Sequence, residues 1–252
     1  MRYSSLILFV LCTGVTNGAL PLPSYIKPCA RNDPKLYECS AKHGNDAIPH
    51  IIKGDPKYKL PSLDPLKIDE IKVAEGERTQ AGFTLVVKDA SIYGAKDMHV
   101  EKVEYDLNRK HIFHQVFVPR VEIIGKYEVY GRLLLLPING HGDINITLDN
   151  CRITYDADFS YETIDGKDHI SQRNQKTQAN PENMHIKLTN LFNGDKMLNK
   201  QMNEFLNQNW RDVFNELSPT VFSVFTHISS SVFKELDRAV PADEIFPEKV
   251  DS

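Results

Sequence analysis

Few residues in this chain of 252 have both the type and the spacing that chemistry requires. His111-Ile-Phe-His114 offers two imidazoles. In an extended segment, however, residues three apart point to opposite faces, so the pair is not a shared metal site. Asp156 and Asp158 do share a face, but they fall at the polar positions of an alternating segment, where a solvated strand surface explains them without acid–base catalysis. There is no nucleophile elbow, no HExxH and no phosphate-cradling glycine loop. The expectation is a protein that is not an enzyme and carries neither cofactor nor metal.

The remaining reactive groups depend on the compartment. Arg2, the apolar run from Leu6 to Cys12 and the small residues Thr13, Gly14, Thr16 and Gly18 follow the order of a secretory leader, cleaved after Gly18. The apolar run is well short of the roughly 20 residues of a membrane-spanning helix. Residues 1–18 are therefore read as a leader, and 19–252 as a single secreted, extracellular domain without stable membrane insertion. Cleavage leaves 29 Lys plus Arg against 34 Asp plus Glu, a net charge of −5. With no dense basic run, nucleic acid and other polyanions are poor partners.

Three cysteines survive cleavage. Cys29 and Cys39 are the natural pair in an oxidising compartment, and closing so short a loop stabilises by roughly 3 kcal/mol on the chain-entropy model. Cys151 is then either a buried, inert thiol or an intermolecular bridge. Asn145-Ile-Thr147 is the only glycosylation sequon.

The elements that would position these groups are legible in the periodicity. Asp33-Pro34 starts a helix and Gly54 stops it; Gly44 and Pro49 predict that it is broken. From Phe83 to about Leu191 the apolar period is two, as in an antiparallel sheet with one covered face. The clearest stretch runs Val121, Ile123, Tyr127, Val129, Leu133. A turn is expected at Pro137 to Gly142. After it, Ile144, Ile146 and Leu148 hold even positions while Ile153, Tyr155, Ala157 and Phe159 hold odd ones, which predicts a one-residue β-bulge near Asp149 to Cys151. Cys151 then points inward, and Asn145 outward.

From Leu198 the chain reads as a helix of about 40 residues, close to 60 Å at 1.5 Å per residue, with Pro219 expected to kink or divide it. Such an apolar stripe must be covered, and a curved sheet wrapped around it is the economical solution. Aromatic side chains on both surfaces rarely pack without remainder, which leaves room for an elongated apolar cavity. Inward parity nominates Phe83, Leu85, Val87, Val121, Ile123, Tyr127, Val129, Leu133, Leu135, Tyr155 and Phe159 as its sheet wall. Trp210, Phe214, Phe222 and Phe225 form its helix wall, with the space between Leu135 and the Phe222–Phe225 turn. Tyr127 and Tyr155 are the candidate hydroxyls for orienting a ligand.

Three stretches also carry a resemblance: Leu60-Pro-Ser-Leu-Asp-Pro-Leu66, Gly131-Arg-Leu-Leu-Leu-Leu-Pro-Ile138 with Gly140 and Gly142, and Leu191-Phe-Asn-Gly-Asp195. Together with Met202-Asn203, Leu206-Asn207, Asn209-Trp210, Val240-Pro241 and Ile245-Phe246-Pro247, they make the chain similar to the insect takeout and haemolymph juvenile-hormone-binding proteins. The resemblance implies an α+β, TULIP-like fold: a highly curved antiparallel sheet around a long C-terminal helix, with an internal tunnel. It also implies a disulfide between Cys29 and Cys39. The expected function is a monomeric secreted carrier of a small apolar ligand, such as juvenile hormone, another terpenoid or a fatty acid. The alternative is an extracellular lipid-recognition or signalling scaffold without a transport role.

Overall fold

The computed structural model describes residues 19–73, 83–134 and 136–250. The leader reading and the Leu135 position lie outside the described residues, as does the side chain of Phe83. The chain runs through α1 (Leu36–Ile51), β1 (Leu66–Val73), β2 (Phe83–Tyr93), β3 (His99–Asp106), β4 (His111–Leu133) and β5 (Leu136–Ile164). It continues through β6 (Lys167–Asn180), β7 (Asn183–Leu188), α2 (Lys196–Gln208), α3 (Trp210–Ala239) and α4 (Ala242–Ile245).

Two long strands form the spine. β4 and β5 pair antiparallel from His111↔Asp158 to Leu133↔Leu136 in a single register. Shorter strands flank them in halves. β2, with β1 beyond it, pairs the second half of β4, and β7 pairs the first half of β5. Towards the other end of the spine, β3 pairs the first half of β4 and β6 the second half of β5. Among the described residues the sheet is not closed; its path runs from β1 to β6. α3 nevertheless contacts β1, β6 and β7, strands on opposite margins, so the sheet curls around it and the two apolar surfaces cover each other.

The phase flip in β5 is present, but no bulge between the spine strands produces it. The register continues unchanged from Val118↔Cys151 to Arg120↔Asp149. Asn150 takes a left-handed φ of 48°, and opposite it stands Pro119, which has no N–H to give to the ladder. Both strands change face together, so Val118 and then Val121 are buried on β4 as Cys151 is on β5.

The expected turn at 137–142 is also displaced. Residues 137–142 are strand, paired with 127–132, and the reversal uses Leu134 at φ 49°. The glycines serve close approach instead. A Cβ at Gly142 would meet the Thr189 carbonyl at 2.6 Å, and one at Gly140 the Leu191 Cα at 2.8 Å.

Helix α1 is continuous through Gly44 and Pro49, correcting the broken-helix expectation. Pro49 falls in its last turn, where it forfeits one backbone bond, and tertiary contacts hold the helix. Asn45 clamps the backbone of β3, its Nδ2 donating to the Val100 carbonyl (3.1 Å) and its Oδ1 accepting from the Val100 N–H (2.8 Å).

At the C-terminal end, Pro219 stays within α3. The helix divides ten residues earlier, at Asn209, whose Nδ2 donates back to the Phe205 carbonyl (2.8 Å). On α2, Asn199, Asn203 and Asn207 recur every fourth residue. Their Oδ1 atoms accept from the N–H groups of Leu191, Leu188 and Ile186 at 2.8–2.9 Å, satisfying the free edge of β7. This gives the Met202-Asn203 and Leu206-Asn207 motifs a structural role.

Candidate ligand cavity

Three packed clusters lie along the spine, and the middle one is hollow. At the hairpin end, Val87, Tyr127, Val129 and Leu133 pack with Leu206 and Val213. Towards the opposite end, Tyr155 meets Phe233 at a ring separation of 4.7 Å, and Phe159 packs with Ile112, Ile170 and Phe246. Between these aromatic ends the sheet wall is short: Val116, Val118, Val121 and Ile123 on β4, and Ile146, Leu148, Cys151 and Ile153 on β5. These side chains straddle the phase flip, and from α3 Phe225 packs against them. A cavity of about 270 Å³ remains.

Its helix wall is one face of α3, namely Phe214, Leu217, Ser218, Val221, Phe222, Phe225 and Ser229. From Phe214 to Ser229 that face spans about 22 Å at 1.5 Å per residue, so the cavity is elongated. Among the described residues, none that lines it is charged. The polar atoms available are hydroxyls of Tyr93, Thr177, Ser218 and Ser229 and the thiol of Cys151. Cys151 is free and wholly buried, and burial pushes its pKa up to about 11, which leaves it a neutral, unreactive thiol at physiological pH.

Of the lining nominated from parity, Val121, Ile123, Phe214, Phe222 and Phe225 surround this space. Val87, Tyr127, Val129 and Leu133 are instead buried in the hairpin-end cluster, with Leu85 and Trp210 packed against it. Tyr155 and Phe159 lie towards the other end. Neither tyrosine has a free hydroxyl: Tyr127 donates to the Thr189 carbonyl (2.6 Å) and Tyr155 to Gln172 Oε1 (2.7 Å). Parity finds which face a residue is on but not whether the opposing surface reaches it.

Beyond the cavity lies a buried polar group of side chains. Gln172 Nε2 donates to Asp237 (2.7 Å), and His169 Nδ1 lies 2.9 Å from the Asp237 carbonyl. Burial raises Asp237 to about 7 and lowers the neighbouring His114 to about 4. His114 packs its ring among Tyr105, Tyr155 and Phe233. His111 lies on the other face of the strand, between Asp156 (3.4 Å) and Asp158 (3.3 Å), so the two histidines do not converge. Cys29, Cys39 and His43 are the one close group of potential metal ligands among the described residues. The two sulfurs are joined in a disulfide and provide no thiolate.

Residues 6–247 match the family model described as Haemolymph juvenile hormone binding protein (JHBP). The chain belongs to this family. Among relatives of this juvenile-hormone-binding-protein family member are the circadian clock-controlled proteins daywake of Drosophila yakuba and Drosophila melanogaster. Each is 26% identical, over 236 and 232 residues respectively, covering 89% of this chain and 88% of the relative. The crystal structure of Epiphyas postvittana Takeout 1 superposes with a TM-score of 0.79 at 27% identity, covering 88% of this chain and all of that one. Family and structural neighbours thus place the chain among hydrophobic-ligand-binding proteins of the takeout and juvenile-hormone-binding type. No helix among the described residues is long and apolar enough to cross a membrane.

Proposed function

We propose that the chain is a secreted, monomeric carrier that holds one small apolar molecule, a terpenoid such as juvenile hormone or a fatty-acyl compound, in the cavity beneath α3 and performs no chemistry on it. The observation that carries this reading is the uncharged, elongated space between an otherwise packed sheet and helix. At about 270 Å³ it falls just under the roughly 300–1,000 Å³ of small-molecule sites, which suits one slender ligand and not a two-chain lipid. Apolar walls supply affinity through burial alone. The leader-like start and the Cys29–Cys39 disulfide support an extracellular location.

The test is titration of the purified protein with the neutral fluorophore N-phenyl-1-naphthylamine. A carrier gives a saturable blue-shifted enhancement with one site per chain, reversed by farnesol or a fatty-acid ester. A linear, unsaturable response would remove the carrier reading.

A further inference from the structure

Thr177 is the unusual member of the cavity wall. It is 6% exposed and lines the space, and among the described residues its Oγ1 is one of three buried side-chain atoms with no hydrogen-bond partner in the protein. A buried hydroxyl left unpaired costs roughly 1–3 kcal/mol, so its retention calls for an explanation. The surroundings hold it in place. Thr177 pairs with Tyr155 across the β5–β6 ladder, and its own N–H donates to Thr226 Oγ1 of α3 (2.9 Å). Ser229, one helical turn beyond Thr226, also lines the space. The elongated cavity therefore has one place where a fixed hydroxyl meets an apolar channel.

We propose that Thr177 is the polar anchor of the cavity, donating its hydroxyl proton to an uncharged oxygen of the ligand, and that the ligand is a neutral oxygenated apolar molecule (an ester, ketone, ether or alcohol) and not a free carboxylate. The proposal rests on the ligand-binding reading above and deepens it. The chemistry follows from what the wall lacks. An ionised carboxylate entering this space would lose its water without meeting a Lys, Arg or His side chain among the described lining residues, a penalty a single neutral hydroxyl does not repay. A carbonyl or ether oxygen needs only one donor. The neighbouring row is uncharged as well: His114 pairs with Tyr155 as Thr177 does, and burial keeps that imidazole neutral down to about pH 4.

The experiment compares dodecane, methyl dodecanoate and dodecanoate at pH 8 as competitors of N-phenyl-1-naphthylamine, on the wild type, Thr177→Val and Thr177→Ser. Wild type should bind the ester at least about tenfold more tightly than the carboxylate. Thr177→Val should weaken the ester by roughly three- to tenfold and leave dodecane unchanged. It should also raise the melting temperature of the ligand-free protein, because it deletes an unpaired buried hydroxyl. Thr177→Ser should restore ester binding. Carboxylate binding as tight as the ester, or equal loss of ester and alkane in Thr177→Val, would overturn the anchor while leaving the cavity a binding site. Failure of all three competitors and of the fluorophore would overturn the ligand-binding reading, and this proposal with it.

Discussion

Val121 and Val129 lie eight residues apart on the inward side of β4, and the structure predicts opposite consequences for the same substitution. Val121 lines the cavity, whereas Val129, 4% exposed, sits in the closed hairpin-end cluster with Tyr127, Leu133 and Leu206. In Val121→Phe the added ring has space to enter, so it should occupy volume the ligand needs. Displacing about two to three methylenes of ligand at ~0.8 kcal/mol each costs about 2 kcal/mol, or roughly 30-fold in affinity. The same ring at Val129 has no space and forces strain of about 1–3 kcal/mol, lowering the melting temperature by roughly 3–10 °C for a domain of this size while sparing affinity. Fluorophore titration and thermal melts on both variants read the two effects separately. If Val121→Phe melts as low as Val129→Phe and binds as tightly as the wild type, the space beneath Phe225 is not where the ligand lies.

Other consequences follow from the same geometry. Native protein should leave Cys151 unlabelled by an aqueous aromatic disulfide reagent at pH 8, since burial holds its pKa at about 11, and should expose one thiol per chain on unfolding; rapid native labelling would contradict its place in the wall. His114 and Asp237 should offset one another in pH-dependent stability. His114, depressed to about 4, withdraws stability as pH falls below the usual histidine value of about 6.5. Asp237, raised to about 7, withdraws it as pH rises from about 4. Denaturant melts of His114→Gln should therefore show stability falling by about 3 kcal/mol between about pH 4.5 and 7, and those of Asp237→Asn should show it rising between about pH 4.5 and 6.5; parallel profiles in both variants would refute this. Asn145 is half-buried, with Nδ2 donating to Glu122 (2.8 Å). A glycan there should appear as a glycosidase-removable mass on protein secreted from insect cells, and an unchanged mass would mean that the sequon is not used.

Much of the architecture was legible because long strands with one covered face impose strict alternation, and β4 and β5 display it over most of their length. The change of parity after Leu148 correctly marked a reversal of face, yet its cause was not readable. A bulge and a concerted twist leave the same trace in one strand, and only the partner, with Pro119 opposite Asn150, separates them. The hairpin at Leu134 escaped notice because a leucine at φ 49° carries no turn signature, whereas Asn139-Gly140 looks like one and is strand. The helix break fell at Asn209, whose φ of −109° and ψ of 28° leave the helical region, and an asparagine within an apolar stripe carries no signal as plain as a proline's. Thr177 was invisible for a different reason. Its strand reads Gln172-Arg-Asn-Gln-Lys-Thr-Gln178, with no apolar alternation to mark an inward face, and its importance lies in a hydrogen bond that is not made.

The space beneath α3 should hold a molecule when the protein is made by its own cells. Organic extraction of protein purified without detergent from its native source, followed by mass spectrometry of the extract, tests it most directly. One apolar compound is expected at close to one equivalent per chain, neutral and bearing an ester, ketone, ether or alcohol oxygen, and depleted in the Val121→Phe variant expressed alongside. An extract with no stoichiometric compound, or one equally abundant in Val121→Phe, would contradict it.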